Sequence, residues 1–195
     1  MPAHSEPVFV NVARHAQQKN LPLLLKAFRT YRREGGSGTL VLVGAGPDTY
    51  ELRKLTSDLG LGTEVVFRGH LINPFPQLAA STAFVLSSEE EGFGLGLVEA
   101  MALGVPVIST NCPGGLREIP LDGKAGLVVP PGDKRDLAQA LRRIVTEPAL
   151  RNNLSSAGRE RAADFSRRGW VGFWLDVLAR AGAVLDSSGG QACRL

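Results

Sequence analysis

Glu91 and Glu99 belong to the one stretch of this sequence whose composition packing alone does not explain: Ser87-Ser88-Glu89-Glu90-Glu91-Gly92-Phe93-Gly94-Leu95-Gly96, leading into a segment with Glu99, Ala100, Met101 and Ala102. Glu99 is set among Leu95, Leu97, Val98, Met101 and Leu103, which predicts a helix apolar nearly all round and buried. An ionised carboxylate there needs hydrogen-bond donors. Either a vicinal pair of sugar hydroxyls supplies them, since a carboxylate accepts from two donors at once, or an arginine from a neighbouring helix does. Glycines at 92, 94 and 96 let the backbone approach a ligand and expose N–H groups at the helix start, an arrangement that cradles phosphate or sugar oxygens. Three glutamates in a row just before it would repel a bare phosphate.

A second group of chemically able residues, Arg14, His15 and Lys19, follows the apolar run Val8–Ala13 and precedes a helix-period segment. Arg14 and Lys19 are fixed cations. Two cations beside a helix N-terminus make a site for a diphosphate, because side-chain charges and free N–H groups act on the same anion. Acidic groups for hydroxyls and cations for phosphates together suit a sugar nucleotide. Neither His15 nor His70 has an orienting carboxylate nearby in sequence, so both read as ligand-adjacent or structural rather than catalytic. Gly44-Ala45-Gly46-Pro47 imitates the opening of a dinucleotide fingerprint, but G-x-G-x-x-G needs glycine at 49, where Thr49 stands, and Pro47 would disturb the close approach. It reads as a tight turn, one that can flank a ligand.

The elements that must position these residues follow from the apolar pattern. Runs rich in Val, Leu and Phe recur at Val8–Ala13, Leu40–Val43, Glu64–Phe67, Ala83–Leu86, Val105–Ser109 and Gly126–Val129, each long enough for a buried strand. Between them, Leu21, Leu24, Leu25 and Phe28 fall at helical spacing, as do Leu52, Leu55 and Leu59. The alternation predicts an α/β fold: a doubly wound, Rossmann-like parallel sheet of about six strands with helices on both faces. Such sheets bind ligands at the carboxyl ends of their strands, where both groups of candidate residues lie. A helical tail follows, with Leu137, Leu141 and Ile144 on one stripe and Trp170, Trp174, Val177 and Leu178 on a later one, and Pro148 at a helix start. Residues 1–185 read as one domain, and 186–195, Ser/Gly-bearing and without apolar period, as a disordered tail.

Bulk composition narrows the function class. The 195 residues, 44% hydrophobic, suffice for one core and not for two large domains with a cleft between them. Lys and Arg total 22 against 19 acidic residues, a net charge of +3 spread along the chain, which argues against a nucleic-acid partner. The two cysteines, Cys112 and Cys193, have no metal-ligand spacing and suit a reducing compartment. There is no apolar run of membrane-spanning length and no signal-peptide pattern, so a soluble, cytoplasmic domain is expected.

With these residues in place, the chain from Val8 to Val184 resembles the C-terminal domain of the group 1 retaining glycosyltransferases, family 4, one half of the two-domain GT-B fold. The most specific element is E-x7-E, Glu91 and Glu99 within S-S-E-E-E-G-F-G-L-G-L-V-E-A-M-A-L-G-V-P-V-I-S-T. R-x4-K (Arg14, Lys19), L-V-G-A-G-P, V-V-F-R-G-H-L and N-C-P-G-G-L-R-E-I with D-G-K-A-G-L-V-V-P-P-G-D follow in the family's order.

The resemblance implies transfer of a hexosyl group from a nucleoside-diphosphate sugar, uridine-linked by analogy with bacterial surface-glycan and lipopolysaccharide transferases, to a hydroxyl with retention. By it, Arg14 and Lys19 hold the diphosphate, Glu99 the ribose hydroxyls, and backbone groups at His70 and Leu71 the base. Glu91, with the N–H groups of Gly92, Phe93, Gly94 and Leu95, meets the transferred sugar. No cofactor or metal is expected, the two cations serving the leaving group, and no D-x-D pair is present. The family places an acceptor-binding domain before the strand that starts at Val8, so the resemblance implies that half of the active site comes from such a partner domain. It also implies a peripheral place at the inner face of the membrane for the whole enzyme, and an apolar face at Trp170, Phe173 or Trp174 against that domain. Two other readings are a nucleotide-sugar-binding module without catalysis and a sugar-nucleotide epimerase of GT-B type.

Overall fold

The computed structural model describes residues 6–113 and 118–166. Six strands form one parallel sheet: β1 (Val8–Val12), β2 (Thr39–Val43), β3 (Val65–Gly69), β4 (Ala83–Leu86), β5 (Val107–Thr110) and β6 (Leu127–Val129), in the order β3-β2-β1-β4-β5-β6. The expected strands are all present, with ends displaced by a residue or two. The sheet and the candidate site lie in the compact unit that ends at Ala162.

Helices α1 (Leu21–Arg33), α2 (Thr49–Asp58), α3 (Phe75–Ala79), α4 (Leu95–Ala102), α5 (Lys134–Thr146) and α6 (Pro148–Asp164) cover the sheet. α1 and α5 pack on one another, and their apolar stripes join Phe9, Leu40, Leu42, Val85 and Ile108 in one core. Phe9 meets Phe28 and Tyr31 edge-on, with ring centroids 6.1 and 5.5 Å apart. α4 lies on the other face, where the ring of Phe84 lies against Gly96. Its far end is gripped by α6: Ser155 Oγ donates to the Gly104 carbonyl at 2.6 Å, and Arg159 to that of Leu103 at 3.3 Å. Pro148 opens α6, as its place in the sequence implies.

The strand order reverses between β1 and β4, which pair over only two register positions, Phe9 with Ala83 and Val10 with Phe84. Beyond them the ladder stops, and the buried side chain of Asn11 takes over by donating Nδ2–H to the Val85 carbonyl at 2.8 Å. The crevice so opened at the carboxyl ends of β1 and β4 is the switch point at which doubly wound sheets bind ligands.

Among the described residues no helix is long and apolar enough to cross a membrane. The expected boundary at 185, the tail 186–195, and Trp170, Phe173 and Trp174 lie outside the described residues.

Candidate functional site

Two loops meet across the switch point. The first leaves β1 at Ala13, carries Arg14 and His15, and ends in a 3-10 turn over Gln17–Lys19 before Asn20, whose left-handed backbone (φ 40°) and side-chain oxygen cap α1 at Leu23 N–H. The second leaves β4 and runs from Ser87 to Gly94. They are stitched together: Ser87 Oγ donates to the carbonyls of Lys19 and Asn20, Glu89 N–H to that of Gln18, and Asn20 Nδ2 to Glu89 Oε1. Thr110, at the end of β5, ties in the Ser88 carbonyl at 2.6 Å.

The contact at the centre of this seam joins the two candidate groups directly. Lys19 Nζ forms an ion pair with Glu91 Oε2, both side chains largely covered, 14% and 15% exposed. Ser88 Oγ donates to the same oxygen at 3.2 Å. The pair borders a hollow of about 370 Å3 lined by Gln18, Glu90, Glu91, Gly92 and Pro113. Arg14 is exposed nearby in sequence and has no hydrogen bond or ion pair among the described residues. A roomier hollow of about 650 Å3 opens beside Pro7, Thr82 and Pro106, at the amino ends of the strands, and holds none of the candidate residues.

α4 starts at the crevice without a side-chain cap, its first position preceded by Gly94 in the left-handed region (φ 78°), where other residues are strained. Leu97 N–H is taken by the Gly94 carbonyl at 2.8 Å, and the helix dipole with the N–H groups of Leu95 and Gly96 faces the second loop. The three glycines have separate reasons. Gly94 makes the turn, and Gly92 has nothing within 4 Å of where a Cβ would stand. Gly96 instead packs under the ring of Phe84, where a Cβ would stand 3.0 Å from the ring edge, so it serves the helix–sheet contact.

Glu99 departs from its expected setting in one respect. α4 is not wholly buried: Leu95 is 60% exposed at the mouth of the crevice, and Glu99 is half-buried. Its carboxylate has no hydrogen-bond or salt-bridge partner among the described residues, so no arginine answers it there. Burial alone pushes its pKa above the ordinary 4.5.

His15 lies between the two cations in sequence but apart from them in setting. It is fully buried, Nδ1 2.9 Å from Thr49 Oγ1 and the ring edge-on to Phe67. Thr49 gives its only proton to the Gly46 carbonyl and accepts from Gly46 N–H, so Nδ1 carries the hydrogen of the first bond. Nε2 is left as a buried acceptor without a partner among the described residues. Burial and the charge of Arg53 lower its pKa from the ordinary 6.5, with Asp48 opposing.

The Gly44–Pro47 turn braces the first loop from behind. His15 N–H donates to Ala45 O and Asp48 N–H to His15 O, both at 3.1 Å. A Cβ on Gly44 would collide with the Ala13 carbonyl, and one on Gly46 with that of His15. These glycines permit backbone-on-backbone packing, which is why the phosphate fingerprint fails while G-x-G remains. The exposed His70 and its neighbour Leu71 follow β3, bonded to this turn through Gly44 N–H and Gly69 O at 2.7 Å. Two strand spacings, about 10 Å, separate β3 from β1.

The polar residues Ser87, Ser88, Asn20 and Thr110 had no role in the sequence reading, although two serines between a buried strand and three glutamates were a usable signal. Among the described residues no group of three His, Cys, Asp or Glu side chains is placed to hold a metal ion. Cys112 is a buried free thiol, its pKa raised by burial and by the charge of Glu91.

Comparison with known proteins gives the family and the fold. The family described as glycosyl transferases group 1 matches residues 2–161. The lipopolysaccharide core biosynthesis glycosyltransferase LpsE of Rhizobium meliloti is 35% identical over 174 residues, covering 89% of this chain and 50% of that protein. A mutant of S. aureus TarM, solved with fondaparinux, alpha-GlcNAc-glycerol and UDP, superposes with a TM-score of 0.82 at 22% identity, over 90% of this chain and 36% of its own. Anabaena HepE in complex with UDP-glucose gives 0.75 at 26% identity, over 82% and 44%. The chain spans about half the length of the curated relatives it matches.

Proposed function

The chain belongs to the group 1 glycosyl transferases, and on that premise we propose that it is the donor-binding half of a retaining enzyme that moves a hexosyl group from a uridine-diphosphate sugar to a hydroxyl acceptor. The observation that carries this reading is the convergence at the switch point of Lys19, Glu91 and the uncapped start of α4, with Glu99 on the same helix and without a donor of its own.

In this reading Arg14, Lys19 and the α4 N–H groups take the diphosphate, and their charge stabilises it as the leaving group without a metal. Glu99 accepts from the two ribose hydroxyls. Glu91 and the backbone of Gly92, Phe93, Gly94 and Leu95 hold the hexose. The base reaches the backbone of His70 and Leu71, and the 10 Å between β3 and β1 suits a nucleoside lying across the strand ends. As the bond from the anomeric carbon to the diphosphate breaks, the acceptor oxygen bonds to that carbon on the same face and its proton passes to the departing phosphate oxygen. The acceptor surface belongs to a further domain, and the whole enzyme works in surface-glycan or lipopolysaccharide synthesis on the cytoplasmic face of the membrane, in keeping with what LpsE is named for.

The test is calorimetric titration of the chain with uridine and guanosine diphosphates. Binding of uridine diphosphate, weakened at least tenfold in Arg14→Ala, is expected. Absence of binding by either nucleotide would overturn the reading.

A further inference from the structure

Taking the crevice as a donor site, as above, we propose that Glu91 makes it discriminate the intact sugar nucleotide from the nucleoside diphosphate left after transfer. One carboxylate oxygen of Glu91 holds both the Lys19 ammonium and the Ser88 hydroxyl. Lys19 is the cation the diphosphate needs, so phosphate and carboxylate compete for it.

The outcome of that competition depends on what else Glu91 can bind. With an intact donor, hexose hydroxyls lie beside the diphosphate and donate to the carboxylate, which exchanges one charge-assisted partner for others. With the bare diphosphate no hydroxyl stands between the two anions, and an ionised Glu91 within a few ångströms of the phosphates is a like-charge contact in a crevice that covers both side chains. Release of the hexose therefore returns Glu91 to Lys19 and loosens the nucleotide. Glu89 and Glu90 do not do the same. Glu89 is exposed and engaged with Asn20, and Glu90 is exposed, so solvent screens both.

The loops need not move far for the exchange. Their backbones are pinned by Ser87, Glu89 N–H, Thr110 and the 3.3 Å bond from Glu91 N–H to the Pro113 carbonyl. The rotation is that of the Glu91 side chain.

The experiment is titration of uridine diphosphate and of UDP-glucose into the wild type, Glu91→Gln and Glu91→Asp, each first checked for a cooperative melt. Glu91→Gln keeps shape and hydrogen bonding while removing the charge, and should bind uridine diphosphate about tenfold more tightly than the wild type does. UDP-glucose should gain less, so the preference for the sugar nucleotide shrinks. Glu91→Asp keeps the charge but shortens its reach to Lys19 and should fall between; should Glu91→Gln not fold, this variant carries the comparison. In a Lys19→Met background the gain from Glu91→Gln should fall to about threefold or less. Uridine diphosphate affinity unchanged or weakened in Glu91→Gln overturns the inference and leaves the donor site standing. Failure of the wild type to bind any nucleotide removes the donor site itself.

Discussion

A carboxylate such as that of Glu99, half-buried on α4 with no donor among the described residues, lowers the stability of the fold whenever it is ionised. Its folded pKa lies above the ordinary 4.5, so the stability it permits is fully present below that value and is lost as pH rises through the folded pKa. Glu99→Gln should accordingly melt higher than wild type at pH 8, by on the order of 1–2 °C after discounting for solvent screening, and the difference should vanish near pH 4. The same variant should bind uridine diphosphate about tenfold or more weakly. A melting gain with unchanged nucleotide affinity would separate the strained carboxylate from the ribose. This residue was legible in the sequence because its strain is local, one charge on an apolar stripe. The Lys19–Glu91 pair was not, since it depends on β1 and β4 being neighbours, which no spacing within the chain encodes. His15, read as ligand-adjacent or structural, has polar sequence neighbours that do not reveal its burial, because its cover, the Gly44–Thr49 segment and Phe67, comes from elsewhere in the fold.

At the scale of elements, strands and long helices were readable from period alone, whereas α3 is five residues with prolines at its start and too short to show one. The G-x-G turn was recognised as something other than a phosphate cradle on the strength of Thr49 and Pro47. Thr49 turns out to be an active part of it, closing the turn on Gly46 and holding His15. Gly44 is the position where this element tolerates least, with φ at 129° and the Ala13 carbonyl where a Cβ would go. Gly44→Ala should cost about 1–3 kcal/mol, read as a several-degree fall in melting temperature, and should weaken nucleotide binding by displacing the Arg14 loop. Gly62→Ala, with nothing within 4 Å of the added carbon, should be close to neutral. Equal effects at the two positions would refute the bracing role.

At the scale of the molecule, alternation of strand and helix gave the class of the sheet, and the strand order completed it by bringing the loops after the first and fourth strands together. On the proposed reading, Arg14, Lys19 and the start of α4 meet the diphosphate charge, so nucleotide binding should not depend on divalent ions. Titrations of uridine diphosphate with magnesium and with excess chelator should agree within about twofold, and a tenfold loss on chelation would show that the charge is met in another way.

The grip of α6 on the rear of α4 has a mechanical consequence. A rod fixed at its tail by Ser155 and Arg159, and wedged along its side by the Phe84 ring against Gly96, cannot slide toward or away from a bound molecule. Its front end is a fixed datum. The span from Gly92 to Gly94 lies just ahead of that datum and enters the helix through the left-handed backbone of Gly94. On the proposed reading, donors of different size would be met by rearrangement of that short span while the helix keeps its place.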